Sequence, residues 1–243
     1  MPDLPEHSSP KAARILAAAG ELLGKHGSRG LTIADVATRA HVGKGTVYLY
    51  WRSKEDLLLG LISRDFIALA DDVTAAVTTD PDLARPSRLC PNMLRMATEH
   101  PYVSALLHHD GALLGILTDD PRSGTLLDAL GPYGVMHRIL PIWRRNNLAR
   151  TDWPLANQAY ALDALVTGFV AAATGRHSQP PVTDSGKVLA AAVTALLGPE
   201  DASPDQVQAT AEEGLRLLAE ERATTLDLIS RAALTSSSPS LPS

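Results

Sequence analysis

The sequence predicts an all-α protein with a small N-terminal domain and a larger helical body. Alanine and leucine are abundant, whereas aromatic residues make up only 4% of the 243 residues, a composition that favours helices over strands. Alternating runs of β-branched residues are rare. Hydrophobic residues reach 45% and charged residues 20%, the balance expected of a soluble globular chain with a sizeable core.

Four segments are predicted along the chain. Residues 1–9 are polar and proline-rich and are expected to be a disordered arm. Residues 10–52 are expected to form a three-helix domain, and residues 53–233 a helical body. The serine- and proline-rich residues 234–243 are expected to be a disordered tail.

Several classes of protein are disfavoured. One cysteine, Cys90, excludes an intrachain disulfide framework and a cysteine-based zinc site. The first ten residues do not resemble a signal sequence, and the apolar segments are too short or are interrupted, as by Asp163, to span a membrane. We therefore expect a cytoplasmic protein without a membrane segment or a cofactor.

Charge is distributed unevenly. Residues 1–60 contain eight basic and six acidic residues, a net charge of +2. Because the whole chain has a net charge of −5, the remaining residues have a net charge of −7. A mildly basic N-terminal domain on an acidic body fits a nucleic-acid-binding domain whose body avoids DNA. So small a difference also fits chance variation along the chain.

Helix signals divide the N-terminal domain. A first helix is predicted over residues 11–26, because Ile15, Ala19 and Leu22 recur on one face. Gly27 stands where a C-cap glycine ends a helix.

Two capping boxes follow, the first made by Thr32 with Asp35 and the second by Ser53 with Asp56. Between them a turn is predicted over residues 40–43. The predicted helices run from 32 to this turn, from 44 to 51, and from 53 to about 78.

Two short helices joined by a tight turn are typical of a helix-turn-helix. In that arrangement the second helix enters the major groove of DNA with its N-terminal end first, here Gly43-Lys44-Gly45-Thr46. Two glycines let the backbone approach closely, and Lys44 and Thr46 are placed to reach base edges or phosphates.

Neighbouring residues extend this candidate DNA site. Tyr48 and Tyr50 carry hydroxyl groups that can donate hydrogen bonds to phosphate oxygens. Lys54 starts the next helix, where its charge can attract a phosphate group. Taken singly, the tyrosines also fit core packing and Lys44 fits a solvated charge. The whole set favours DNA binding. A phosphate-binding loop is excluded because Gly45, not Ser or Thr, follows Lys44.

The stretch from about residue 14 to 58 resembles the DNA-binding domain of the TetR family of transcriptional regulators. The matching residues are Leu31-Thr32-Ile33, Asp35-Val36-Ala37, Val42, Gly45-Thr46-Val47-Tyr48, Tyr50-Trp51 and Ser53-Lys54-Glu55-Asp56-Leu57-Leu58.

This resemblance implies a homodimer that binds a near-palindromic double-stranded DNA operator, with a small-molecule pocket in the body. The DNA contacts that it implies are Thr32, Lys44, Gly45, Thr46, Tyr48, Leu49, Tyr50 and Lys54. His41 and Gly43 depart from the usual glycine and serine. Histidine tolerates positive φ, and glycine is an acceptable N-cap, although without a cap hydroxyl.

The body is predicted from pattern alone. The expected helices cover residues 90–99, 101–117, 124–147 with an interruption at 131–132, 154–174, 184–197 and 204–233. Residues 79–88 and 176–183 are expected to be proline-bearing connections.

Two of these helices, at 154–174 and 185–197, are rich in small and apolar residues with few charges. By their position in a TetR-like chain they are assigned to the dimer interface. The alternative is that they form the core of a single subunit. The amphipathic helix at 204–233 is expected either to pack on the flank of the body or to add to the dimer contact.

A ligand pocket is usually lined by apolar and aromatic groups with a few polar ones. The candidates of this type are Phe66, Met93, Met96, Tyr102, His109, Tyr133, Met136, His137, Trp143, Tyr160 and Phe169. For each of them core packing is the alternative. His108 and His109 are adjacent and point about 100° apart on a helix, so they do not readily share a metal ion.

These observations predict a ligand-responsive transcriptional regulator. A homodimeric repressor that a small hydrophobic or aromatic effector releases from DNA fits best. An activator, or a DNA-binding protein controlled by a protein partner, remains the alternative. A helical enzyme or carrier is less favoured, because no nucleophile elbow, HExxH or dinucleotide fingerprint occurs.

Overall fold

The computed structural model describes residues 4–173 and 182–233, and all regular secondary structure in these ranges is helical. The helices are α1 (Pro5–Ser8), α2 (Pro10–Gly30), α3 (Ile33–Arg39), α4 (Lys44–Tyr48), α5 (Lys54–Thr79), α6 (Pro86–Glu99), α7 (Pro101–Leu107), α8 (Pro121–Leu130), α9 (Pro132–Arg145), α10 (Leu155–Ala173), α11 (Ser185–Leu197) and α12 (Pro204–Ala233). Short 3-10 helices cover Pro81–Ala84 and Gly115–Asp119. The prediction of an all-α fold is confirmed.

Helices α2, α3 and α4 form an N-terminal unit whose buried residues are continuous with the core of the body. Leu23, Leu31, Val36, Val47 and Trp51 are all buried there. Burial of such side chains stabilises the folded chain by roughly 1.5–3 kcal/mol each. This packing holds the short helix α4, which is too short to be stable alone.

Helix α5 connects this unit to the body. The Ser53 side chain caps it by accepting a hydrogen bond from the Asp56 amide at 3.0 Å. It packs on α2 of this unit and on α7, α8 and α12 of the body. One continuous helix therefore spans both parts of the molecule.

The body packs around α5. Helix α6 lies against α11 and α9, while α9 also contacts α8 and α10. Trp143 on α9 is fully buried, and its indole Nε1 donates a 2.8 Å hydrogen bond to the carbonyl of Ala84. Cys90 on α6 is also buried, and this burial raises the pKa of its thiol.

Helix α12 packs on the flank of its own body, against α5, α8 and α9. Three ion pairs join its polar side to these helices, namely Arg222–Asp71, Arg138–Glu221 and Arg145–Glu213. This packing is one of the two placements that the sequence predicts.

The N-terminal arm differs from its prediction. Residues 4–9 were expected to be disordered, but they contain α1 and are held to the body. Leu4 is buried, and the Glu6 carboxylate pairs with the Arg64 guanidinium on α5. Burial opposes ionisation of Glu6, but the hydrogen bond and charge of Arg64 outweigh it and lower the pKa of Glu6.

Helix boundaries differ from the prediction at three places in the body. The helix predicted over 101–117 ends at Leu107, because His109 adopts a left-handed backbone with φ 49° and the Asp110 side chain accepts amide bonds from the following turn. The helices predicted from 90 and 124 begin earlier, at Pro86 and Pro121, since proline is favoured in the first turn.

Other predictions on the body agree with the structure or lie outside it. The break at residues 131–132 separates α8 from α9, and Asp184 caps α11. Residues 176–181 of the predicted connection and the predicted tail, 234–243, lie outside the described residues. Within 4–173 and 182–233 no helix has the length and apolar character to cross a membrane.

Candidate nucleic-acid interface

The turn between α3 and α4 has the geometry that the sequence predicted. The Thr32 hydroxyl donates to the Asp35 carboxylate at 2.6 Å and accepts the Asp35 amide, which fixes the start of α3. His41 takes the positive φ of the turn, 53°. Gly43 caps α4 with extended backbone and no side-chain bond. These features fix the angle between two helices of a helix-turn-helix.

One side of α4 faces solvent. Lys44 and Gly45 are exposed, and the exposed fractions of Tyr48 and Leu49 are 51% and 63%. Val47, between them, is fully buried and holds the helix on the domain. The predicted DNA-contact residues at the start of α4 are therefore brought together on one accessible surface.

Tyr50 and Lys54 have partners inside the protein. The Tyr50 hydroxyl lies 2.6 Å from Ser9 Oγ. The Lys54 ammonium donates to the carbonyls of Ser28 and Leu31, at 3.0 and 3.3 Å. Both side chains are half-buried, so in this structure they position the N-terminal unit instead of extending from it. Thr46 is also half-buried, and Thr32 is exposed.

Ser9 is a positioning residue that sequence reasoning missed. Besides contacting Tyr50, its hydroxyl caps α2 by accepting the Ala12 amide at 3.4 Å. The signal was present, because serine followed by proline at the first helical position is a helix-start pattern. The arm thus connects Tyr50, just after α4, to the start of α2.

A joint connects the N-terminal unit to the body. The Ser28 amide donates a 2.8 Å hydrogen bond to the Leu113 carbonyl. Gly27 has φ 64° and ψ 176°, and a Cβ at this position would overlap the carbonyl oxygen of Ala112. A Cβ added at Gly115, which has φ 58°, would likewise overlap the hydroxyl oxygen of Ser28. We call these contacts the glycine joint.

The eleven predicted ligand residues do not form one site. Four are buried in the core: Phe66, Met93, Met136 and Trp143. Three are exposed: His109, His137 and Tyr160. The half-buried remainder is Met96, Tyr102, Tyr133 and Phe169. Tyr102 Oη donates to the Gly20 carbonyl at 3.4 Å, which joins the body to α2.

One of them, Phe169, lines a groove between α6 and the facing ends of α10 and α11, with a volume of about 680 Å³. Its other apolar lining residues include Leu83, Leu94 and Leu189, and Arg88 and Arg95 lie at its edge. Arg88 pairs with Asp80 and Asp82, and Arg95 pairs with Glu99. We call this cavity the α6 groove. No local sequence pattern predicts it, since its lining comes from segments that are far apart in the chain.

Helices α10 and α11 present an exposed apolar face. Tyr160 is 77% exposed and Val188 is 47% exposed, and Leu155 and Val182 are exposed as well. Small residues such as Ala164 and Ala191 lie exposed between them. The opposite sides of both helices are buried through Leu162, Val166, Leu189 and Val193.

The tight turn, the capped helices and the exposed surface of α4 define a helix-turn-helix DNA-binding protein. Residues 15–61 match the domain described as "Bacterial regulatory proteins, tetR family". The N-terminal region therefore carries the DNA-binding domain of TetR-family regulators, as the resemblance predicted, and the prediction of a transcriptional regulator is confirmed.

Similar proteins were found by sequence and by structure. The fatty acid metabolism regulator protein of Bacillus subtilis (strain 168) is 27% identical over 196 residues, which cover 66% of this chain and 96% of that protein. The fatty acid degradation regulator FadR from Bacillus halodurans has a TM-score of 0.53 at 19% identity, over 80% of this chain and 98% of its own. The Thermus thermophilus FadR repressor in complex with lauroyl-CoA has a TM-score of 0.44 at 22% identity, over 96% and 100%.

Proposed function

We propose that the chain is a homodimeric repressor that binds a near-palindromic operator and is released by a small hydrophobic effector of the fatty acyl class. The observation that carries the DNA part is the exposed surface formed by Lys44, Gly45, Tyr48 and Leu49 on a rigidly held helix. A regulator with one such helix per subunit needs a dimer to read two half-sites.

The exposed face of α10 and α11 supports the dimer. An exposed apolar surface around Tyr160 and Leu155 on α10 is unusual on a monomer and is typical of an interface. Pairing of this face between two subunits forms a four-helix contact. The two copies of α4 then have to lie about 34–36 Å apart to enter successive major grooves.

The fatty acyl class rests on two observations. The relative from Bacillus subtilis is named a fatty acid metabolism regulator and aligns over nearly its whole length. The α6 groove has a largely apolar lining, which suits a long apolar chain. Its volume lies within the range of roughly 300–1,000 Å³ that is usual for ligand pockets.

Release from DNA follows from the connection between the two parts. A ligand lowers operator affinity if it binds better to a spacing of the two N-terminal units that does not fit the operator. The operator then lowers ligand affinity by the same factor. Helix α5 and the glycine joint are the covalent and packed connections that transmit this preference. Effector binding in the body thereby changes the distance between the two copies of α4, while the exposed surface of each α4 stays the same.

The DNA assignment is tested by Lys44→Ala and Tyr48→Phe. Each change removes a polar contact from both half-sites, so operator affinity is expected to fall, by at least about tenfold for Lys44→Ala. Lys44→Ala is also expected to reduce the slope of log affinity against log salt concentration by about two. Fluorescence anisotropy with an operator selected from genomic DNA measures both.

Lys25→Ala is the matched control for Lys44→Ala, because Lys25 is exposed on α2 two residues before the glycine joint. It removes the same charge outside α4 and is expected to leave affinity within about twofold, since distant exposed charges are screened. Unchanged affinity for both Lys44→Ala and Tyr48→Phe at moderate salt removes the DNA assignment to α4.

The effector assignment is tested with fatty acids and acyl-coenzyme A esters of increasing chain length. They are expected to release labelled operator, with an optimum in chain length set by the α6 groove. Phe169→Trp enlarges a lining side chain and is expected to move this optimum to shorter chains. Release by phenols alone, or an optimum that Phe169→Trp does not move, contradicts this part of the proposal.

A further inference from the structure

We propose that Leu49 reads thymine by contact with the methyl group of the base in the major groove. The inference deepens the proposed function and rests on it. Leu49 is 63% exposed although it is a large apolar residue. Among the described residues of α3, α4 and the turn between them, all other leucine, isoleucine and valine side chains are buried or half-buried.

The position of Leu49 relative to Gly45 gives the contact its geometry. The Leu49 amide donates to the Gly45 carbonyl at 3.1 Å, so Leu49 lies one helical turn above Gly45. Side chains in a helix point back over the preceding turn. Leu49 therefore extends over a position without a side chain, where an added Cβ would meet no atom within 4 Å. A base edge has room to reach the Leu49 side chain there.

A polar row runs beside this apolar row. Lys44 and Tyr48 are also one turn apart and are both exposed, so α4 presents a cation and a phenol next to a glycine and a leucine. In the major groove thymine is the only base with a methyl group, and apolar side chains distinguish it by contact with that methyl. The polar row is suited to phosphate and acceptor atoms, and the apolar row to thymine.

The test replaces single thymines of the selected operator by deoxyuridine, which removes the methyl group and leaves the pairing edge intact. Wild-type protein is expected to lose about fourfold in affinity when one contacted thymine is replaced, and about fifteenfold when the symmetry-related thymine is replaced as well, from loss of a buried methyl at each site. Other thymines serve as the DNA control.

Leu49→Ala completes a double-mutant cycle with the methyl group. On unmodified operator it is expected to bind more weakly than wild type, and replacement of the contacted thymine is expected to cause no further loss. Leu49→Met restores an apolar side chain and is expected to restore sensitivity to the methyl. Thermal unfolding of the variants confirms that the fold is intact, as expected for an exposed side chain.

Three outcomes are distinguishable. Sensitivity to deoxyuridine that disappears in Leu49→Ala supports the inference. A wild-type protein that binds its operator but is insensitive at every thymine, or a Leu49→Ala protein that keeps the same sensitivity, overturns the inference and leaves DNA binding intact. Failure to bind any selected duplex overturns the proposed function and this inference together.

Discussion

Tyr160→Asp is expected to convert the protein from a dimer to a monomer and to lower operator affinity by at least about a hundredfold. Tyr160 is the most exposed of the large apolar side chains on α10. In the proposed dimer it lies within the apolar contact, where an unpaired carboxylate is costly to bury. A monomer contacts one half-site, and loss of the linked second contact removes an avidity of roughly 10²–10⁴.

Sedimentation equilibrium at micromolar concentration measures the association, and anisotropy measures operator affinity. Ala219→Asp is the matched control, since it adds the same charge to an exposed position on α12, outside the proposed interface. It is expected to remain a dimer. A dimeric Tyr160→Asp protein with normal operator affinity shows that subunits associate through another surface.

Gly27→Ala is expected to lower the free energy of unfolding by about 2–4 kcal/mol. Its backbone, at φ 64° and ψ 176°, lies in a region that only glycine adopts readily, and a side chain there costs roughly 1–3 kcal/mol. The added Cβ would also overlap the Ala112 carbonyl, which is backbone and moves only with its loop. The two effects act on the same contact between α2 and the body.

Gly24→Ala provides the matched control within the same helix. Gly24 is exposed and helical, and an added Cβ meets nothing within 4 Å. This change is expected to stabilise the protein by up to about 1 kcal/mol, because alanine is the better helix former. Urea denaturation followed by circular dichroism compares the two variants. Equal stability of Gly27→Ala and wild type refutes the strain assigned to the glycine joint.

The local structure of the N-terminal unit was predictable because its signals are close in sequence. Thr32 and Asp35 identify the start of α3, and His41 tolerates the positive φ that the turn requires. Each depends on residues within one or two turns of the chain. The exposed surface of α4 followed from the same local pattern.

The long-range contacts were not predictable from these signals. Tyr50 and Lys54 look like free polar groups in the sequence, but their partners, Ser9 and Ser28, are more than 20 residues away. The same limit applies to the ligand residues. Phe66 and Tyr160 are both apolar and helical by pattern, and only packing places the first in the core and the second on the surface.

Burial of Cys90 makes the protein a ready scaffold for distance measurements. The thiol is inaccessible, and its raised pKa keeps it protonated and unreactive toward alkylating reagents. Because it is the only cysteine, a variant such as Ala17→Cys, at an exposed site on α2, acquires one spin label per subunit without further mutation. The separation of the two labels then reports how far apart the recognition helices are held, in the free protein, on operator and with effector bound.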